Sequence, residues 1–179
     1  MALTRLGLNQ SINLATNVTG TLATGNGGTG LTSGFVNGTT NVGKVLQTTS
    51  ANTTSTTVSS SSSYSAFGNG MDLTLTPSST SNYFLIIFST NFDIQSDSRE
   101  GNYGLWREIG GANNTSLGQM IQLGGKQTKA PGAFIYKDAP STTSAVRYRI
   151  PVRATTGNEI LFGGYFGANT SLTIMEIAG

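Results

Sequence analysis

The chain has 179 residues and a formal net charge of +2, and only 10% of its residues are charged, against about 25% in typical soluble domains. It contains no cysteine and no histidine, which excludes disulfides, thiolate catalysis, every Ser-His catalytic arrangement and most structural zinc sites. The ten basic residues are scattered and form no dense Lys/Arg stripe, so we expect no nucleic-acid partner.

The first 43 residues are polar and nearly uncharged. Arg5 is their only charged residue, and with few large apolar side chains the segment has little means of folding alone. We predict an extended chain that becomes ordered against other subunits. Its candidate attachment and trimer contacts are Leu14, Val18, Leu22, Leu31 and Phe35. Residues 1–20 contain no apolar run of signal-peptide length, so we expect no signal peptide and no membrane insertion.

Two glycine-rich patterns at the end of this segment match phosphate-binding loops. Residues 25–30 (GNGGTG) satisfy G-x-G-x-x-G, but they lack the preceding buried strand and the following helix that this fingerprint requires. Residues 38–44 (GTTNVGK) match the start of a P-loop, but no helix follows and Val45 stands where Ser or Thr would bind Mg²⁺. We treat both matches as accidental and expect no cofactor.

From Lys44 the pattern changes to short strands separated by turns. The predicted strands cover residues 44–48, 53–58, 71–76, 83–88, 103–109, 117–123, 133–137, 145–153, 159–166 and 171–177, with 59–63 as a loop or an edge strand. Residues 83–88 (YFLIIF) are apolar throughout, which predicts a central strand covered on both sides. Short strands at this spacing indicate an all-β, jelly-roll-like sandwich, and we expect the last strand to lie inside a sheet.

The strand predicted over residues 145–153 alternates strictly, so its apolar residues face one way and its arginines the other. These arginines are Arg147, Arg149 and Arg153. Guanidinium groups in a row suit an anion-binding patch for phosphate or an acidic sugar. The alternative is an ordinary solvated or subunit-facing strand, in which the arginines pair with Glu108, Asp138 or Glu159.

Two further hypotheses concern a sugar ligand. In a carbohydrate-binding module, aromatic rings would stack on the sugar, and the candidates are Tyr103, Trp106 and Tyr136; an isolated Trp in a strand more often belongs to a core or an interface. A depolymerase would need a pair of carboxylates, and the candidates are Asp93, Asp97 and Glu100. We favour the alternative, a polar loop between strands with Arg99 as the local partner, and we expect no enzymatic activity.

Two parts of the chain resemble virion proteins of tailed bacteriophages. Residues 13–22 (NLATNVTGTL), running into residues 25–30, are similar to the VTGTL…NGGTG segment of tail-fibre and related proteins, especially those of marine and cyanobacterial phages. Ala23 departs from this pattern, since such segments often carry proline there. The C-terminal part is similar to the sandwich domains of these proteins over residues 73–82, 140–145 and 172–177. The resemblance implies a homotrimer with a TNF-like or jelly-roll head, attached to a virion through its N-terminus.

The sequence therefore predicts a virion structural protein, a short trimeric fibre or spike. Residues 1–43 would attach it to other virion proteins of the tail or capsid, and residues 44–179 would form a β-sandwich knob. A closed trimer would hide sheet edges and account for the low charge. A host-surface glycan is a candidate partner, contacted through loops at 96–103 and 113–117. The alternatives are a capsid decoration or head-fibre protein with a mainly structural role, and a carbohydrate-binding module.

Overall fold

The structure is a computed structural model that describes residues 43–94, 100–125, 128–155, 159–164 and 167–179. The predicted attachment contacts between Leu14 and Phe35 lie outside these residues. Across the described ranges the chain is all-β, with twelve strands and no α-helix. The strands are β1 (Val45–Thr53), β2 (Thr56–Ser59), β3 (Ser65–Ala66), β4 (Asp72–Leu75), β5 (Tyr83–Ile94), β6 (Glu100–Ile109), β7 (Thr115–Gly124), β8 (Thr128–Asp138), β9 (Val146–Arg149), β10 (Pro151–Ala154), β11 (Ile160–Gly163) and β12 (Thr170–Ile177).

The strands form two antiparallel sheets of six strands each. In the first sheet, β11 and β12 follow one another along a single line, with β2 and β1 on one side, β5 on the other and β8 beyond β5. In the second sheet, β9 and β10 form the equivalent line, with β4 and β3 on one side, β6 on the other and β7 beyond β6. The last strand pairs with both β1 and β5, which confirms that the chain ends inside a sheet.

Four of the twelve strands continue the line of the strand before them. These continuations join β1 to β2, β3 to β4, β9 to β10 and β11 to β12. When each joined pair is counted as one position, the chain has eight positions, ordered 1-8-3-6 in the first sheet and 2-7-4-5 in the second. The first four positions thus pair with the last four in reverse order, as in a long hairpin folded into two layers.

Two of the interruptions have a visible cause. The strand predicted over residues 145–153 breaks at Ile150, whose carbonyl accepts a hydrogen bond from Phe67 N–H (2.8 Å) and whose N–H donates to Met71 O (3.3 Å), both in the connection between β3 and β4. At the other interruption, Gly164 N–H donates to Ser55 O (3.2 Å) between β1 and β2. A Cβ on Gly164 would lie 1.7 Å from the carbonyl oxygen of Thr54, so only glycine fits there.

The core lies between the two sheets and is rich in aromatic rings. Tyr103 of the second sheet is fully buried, with its ring centroid 4.7 Å from that of Phe92 and 5.3 Å from that of Phe88 in the first sheet. Its hydroxyl hydrogen-bonds Thr90 Oγ1 (2.9 Å) and donates to Asn91 O (3.1 Å). Burial raises the pKa of Tyr103, and the hydrogen bond with Thr90 opposes the shift only in part. The aromatic contacts join the two sheets, and the hydrogen bonds with Thr90 and Asn91 satisfy the one polar group that Tyr103 buries.

Strand β5 corrects the prediction for residues 83–88. It is central, since it pairs with β12 on one side and β8 on the other. Its burial nevertheless alternates: Phe84, Ile86 and Phe88 are buried against the second sheet, whereas Leu85 and Ile87 are half-buried on the outer face. Within a single chain the prediction of cover on both sides does not hold, because β5 presents aliphatic side chains outward.

Candidate functional site

The predicted arginines lie on the outer face of the second sheet. They alternate with Tyr148 and Val152, which are fully buried. Trp106 is directly opposite Arg149 in the register between β6 and β9, so it shares the outer face. The structure thus brings together four of the six residues predicted to bind an anion or a sugar, namely Trp106, Arg147, Arg149 and Arg153.

Carboxylates neutralise two of these arginines. Arg147 Nε donates to Asp72 Oδ1 (2.5 Å), and its guanidinium also lies 3.6 Å from Glu108 Oε2. Arg149 Nε lies 3.6 Å from the other oxygen of Asp72. The hydrogen bond to Asp72 raises the pKa of Arg147. Glu108 was a predicted partner, whereas Asp138 pairs instead with Arg107 (2.8 Å).

Arg153 has a different environment. Its guanidinium carbon lies 4.6 Å from the ring centroid of Tyr64, and its Nη2 donates to Gln119 Oε1 (3.1 Å). Among the described residues no carboxylate pairs with it. The Tyr64 ring meets Trp106 edge to face, with centroids 6.4 Å apart. Burial raises the pKa of Tyr64 and the charge of Arg153 opposes the shift, so the phenol is neutral at physiological pH.

Asn102 lies beside these rings and is unusual. It is directly opposite Arg153 on one side and Gln122 on the other, so its side chain shares their face. It has no exposed surface, yet neither atom of its amide has a hydrogen-bond partner among the described residues. Tyr64 Oη and Arg153 Nε are likewise buried without a partner. Most buried polar groups are hydrogen-bonded, so this concentration in one place calls for an explanation.

The backbone makes room for Tyr64. A Cβ on Gly104 would lie 3.0 Å from Pro151 Cγ and 3.4 Å from Tyr64 Cε1, so the ring packs over a glycine in the middle of β6. On the neighbouring strand β7, Gln119 Nε2 donates a hydrogen bond to Gln122 Oε1 (2.8 Å). The resulting aromatic–amide patch consists of Tyr64, Asn102, Trp106, Gln119, Gln122 and Arg153.

The remaining predicted residues lie elsewhere. Tyr103 is in the core, where no surface ligand reaches it, and Tyr136 packs against the core from the inner face of β8. The predicted stacking trio therefore does not assemble. Asp93 is 1% exposed on β5. Glu100 accepts hydrogen bonds from Thr155 Oγ1 (3.0 Å) and Gln122 Nε2 (3.2 Å). Asp97, the third candidate carboxylate, lies outside the described residues.

Sequence reasoning missed Tyr64 and Asn102. The alternation of residues 102–106 (NYGLW) contained the relevant signal, because Asn102, Gly104 and Trp106 must face opposite to Tyr103 and Leu105. Tyr64 follows a run of serines and belongs to no predicted strand, so no local pattern connects it to Trp106.

Part of the outer face of the first sheet is apolar. The strongly exposed large hydrophobic residues of the described chain all lie on its strands: Val45, Leu46, Val58 and Ile135. Ile135 is 71% exposed and lies directly opposite Ile87, while Leu85 lies opposite Met175. The charge at this place is Lys137, whose ammonium sits 4.0 Å from the ring centroid of Tyr83. We call Tyr83, Leu85, Ile87, Ile135 and Met175 the apolar face.

Other classes of site find no support in the described part of the chain. No group of three or more acidic side chains there is placed to hold a metal ion. Nor does that part contain a helix of the length and apolarity needed to cross a membrane. Comparison with protein-family models and with curated proteins found no match for this chain.

Proposed function

We propose that this chain is a structural protein of a phage virion, a short trimeric fibre or spike that displays a jelly-roll knob. The virion role rests on the resemblance of residues 13–22 and 25–30 to phage fibre segments. Residues 1–43 form the attachment segment in this proposal, and the sandwich that follows is the knob. Sister chains and other virion proteins are its partners.

The strand order supports a jelly-roll knob. Eight positions ordered 1-8-3-6 and 2-7-4-5 correspond to a hairpin of the first four positions against the last four, rolled into two facing sheets. Eight-stranded jelly rolls with this two-layer build occur in viral capsid and lectin domains. A fold of this kind suits a virion component, although fold alone does not decide function.

The apolar face is the observation that carries the trimer. An antiparallel sheet with one face on the core normally shows polar side chains on the other, yet Leu85, Ile87 and Ile135 are aliphatic and lie outside. Contiguous exposed apolar surface marks an interaction site. Among the described residues Lys137 is the charged side chain beside this face, and its ammonium already lies over the Tyr83 ring, while Thr173, opposite Ile87, is polar but uncharged. Sister copies can therefore cover this face without burying a carboxylate.

The test is to place a charge at the centre of the apolar face. We expect the wild-type chain to have the mass of a trimer at micromolar concentration, and Ile135→Asp to have the mass of a folded monomer. Three interfaces would each have to bury a carboxylate, which costs several kcal/mol per ion. Mass photometry and sedimentation velocity measure the assembly, and circular dichroism checks the fold.

Thr74→Asp is the matched control. Thr74 is exposed on β4 and lies opposite Arg147 on the outer face of the second sheet, so its aspartate should leave the trimer intact. A wild-type chain that is monomeric, or an Ile135→Asp variant that is still trimeric, would refute the assignment of this face.

A further inference from the structure

We infer that the aromatic–amide patch binds an uncharged glycan. The identification of this glycan as a host-surface ligand rests on the proposed function, in which the knob attaches the virion to its host. The binding site itself stands on the second sheet, whereas the apolar face stands on the first. The two assignments can therefore fail separately.

The rings provide the stacking surface. Tyr64 and Trp106 are half-buried and meet edge to face, so each is fixed in orientation while part of its surface is exposed. The guanidinium carbon of Arg153 also contacts the Tyr64 ring, 4.6 Å from its centroid. A fixed aromatic ring offers a flat apolar surface with little entropy to lose, which suits the C–H face of a pyranose ring.

The amides provide the hydrogen bonds. A sugar hydroxyl both donates and accepts, and so does a primary amide. Gln119 and Gln122 are exposed, and Asn102 lies between Gln122 and Arg153 with both amide atoms unpaired and no exposed surface. Long side chains move readily, so a modest shift of Gln122 or Arg153 opens Asn102 to a ligand. Hydroxyl groups would then satisfy the buried atoms that the described residues leave without partners.

Charge decides which kind of glycan fits. The outer face of the second sheet carries three guanidinium groups, on Arg147, Arg149 and Arg153. It also carries three carboxylates, on Asp72, Glu100 and Glu108. Among the described residues these charges cancel, and two of the arginines already have acidic partners. The described part of this face therefore has no net charge to attract an acidic sugar or a phosphate, and neutral hydroxyl groups fit it better than the predicted anions do.

The patch lies near the end of the sandwich that is remote from Gly43. Gly43 N–H donates to Ala178 O (2.8 Å), at the end of the first sheet where Val45 pairs with Ile177. Asn102 and Arg153 lie toward the opposite end of the second sheet, close to the start of β6. A ligand on this patch therefore binds away from the end of the sandwich at which Gly43 pairs with Ala178.

The experiment uses the purified full chain on an array of neutral oligosaccharides, built from hexoses, deoxyhexoses and N-acetylhexosamines, beside acidic glycans of the same linkages. We expect retention of a neutral glycan, and calorimetry with that glycan should show a binding constant at least about tenfold weaker for Trp106→Ala and for Gln119→Ala. Binding should change less than about twofold between about 0.05 M and about 0.5 M salt, since no ion pair forms. Arg147→Gln is the control: it removes a positive charge from the same outer face but outside the patch, and this variant should bind the glycan as the wild type does.

Several results would overturn the inference. Retention of acidic glycans only, with affinity falling as salt rises, would mean that Arg153 recognises an anion. Retention of no neutral glycan, or equal affinity in wild type, Trp106→Ala and Gln119→Ala, would remove the patch as a site. Ile135→Asp separates the two proposals, because a monomer that still binds the glycan retains this site whatever becomes of the trimer.

Discussion

Glu176 shows how a single buried carboxylate can organise one end of the sandwich. It is 1% exposed and accepts hydrogen bonds from Asn82 Nδ2 (2.6 Å), Ser78 N–H (2.7 Å), Ser78 Oγ (2.9 Å) and Gln47 Nε2 (2.5 Å). Burial alone would raise the pKa of Glu176, but the hydrogen bonds from Asn82, Ser78 and Gln47 together outweigh burial and hold it below its ordinary value of 4.5. The carboxylate thus ties β12, β1 and the segment before β5 together.

We predict that Glu176→Gln lowers the free energy of unfolding by about 2 kcal/mol at neutral pH, because an amide cannot accept all of these bonds. The folded-state pKa is depressed, so the stabilising effect of the carboxylate is complete above the unfolded value of 4.5 and is lost as pH falls through the folded value. Urea unfolding at fixed protein concentration, from about pH 7 to about pH 3, measures the difference between wild type and variant.

The control for that experiment is Glu108→Gln, because Glu108 is half-buried and makes only a 3.6 Å ion pair. It should cost less than about 1 kcal/mol. A difference between wild type and Glu176→Gln that stays constant over the whole pH range would contradict the role given to the carboxylate.

At the residue scale the sequence predicted the shared face of the three arginines and one acidic partner, Glu108, but not Asp72. Strict alternation is a local property, so the side of the sheet on which Arg147 lies could be predicted. Asp72 comes 75 residues earlier in the chain, and its pairing with Arg147 depends on which strands become neighbours. The prediction of Tyr103 as a stacking residue on the surface is wrong for another reason. Tyrosine is amphipathic, and only the tertiary packing determines that its hydroxyl is hydrogen-bonded inside the core.

At the scale of elements, interruptions in neighbouring strands of the first sheet lie opposite one another. The break between β1 and β2 faces the break between β11 and β12, where Gly164 approaches the backbone of Thr54. Two neighbouring strand lines therefore bend at the same level, which lets a long sheet curl around its partner.

We predict that Gly164→Ala destabilises the fold by about 3 kcal/mol or more, because the added Cβ would meet the Thr54 carbonyl oxygen at 1.7 Å and a backbone must move. Gly167→Ala is the comparison, since Gly167 has φ +73° and open space around its Cβ position. It should cost only about 1 kcal/mol, the strain of a left-handed residue. Thermal or urea unfolding of both variants measures this, and equal losses would mean that the close approach is not needed.

Element types were more predictable than element limits. Strand β8 begins at Thr128 rather than at residue 133, because its Pro131 and Gly132 lack β-propensity but lie opposite Asn91 and Thr90 of the long strand β5. Pairing with an established neighbour overrides local preference. The short strand β3, Ser65–Ala66, was not predicted, because only its two pairs with β10 define it.

At the scale of the whole molecule, the all-β class could be predicted from composition and spacing, whereas the order of the strands could not. Sheet order depends on pairings such as Val45 with Ile177, which lie at opposite ends of the described chain. Of the predicted receptor loop 96–103, residues 96–99 lie outside the described residues and residues 100–103 belong to β6. The second predicted loop, 113–117, overlaps the start of β7 at Thr115, and the turn before it joins β6 to β7 at the end of the sandwich where Gly43 lies. Gln47 Nε2 donates to Thr76 O (2.8 Å) at that end, and β4 and β6 both pair with the start of β9 there.

For the whole molecule we predict that deletion of residues 1–30 abolishes incorporation into the virion while the remaining chain keeps its β-sheet circular dichroism spectrum. Attachment and folding would then reside in different parts of the chain, as the contrast in charge and apolar content indicates. Complementation of a virion lacking this protein, followed by immunoblotting of purified particles, gives the measurement. Undiminished incorporation of the deleted chain would show that the anchor lies elsewhere.

The hydrogen bond between Gly43 and Ala178 has a practical consequence for labelling and display. A peptide or fluorophore fused after Gly179 would lie at the end of the sandwich where Gly43 begins the described chain. The serine-rich bend at residues 60–63 is exposed and lies at the other end, where Ser61 O accepts a hydrogen bond from Ala154 N–H (2.8 Å). Cargo inserted at that bend would therefore be kept apart from the end of the sandwich that carries Gly43 and Gly179.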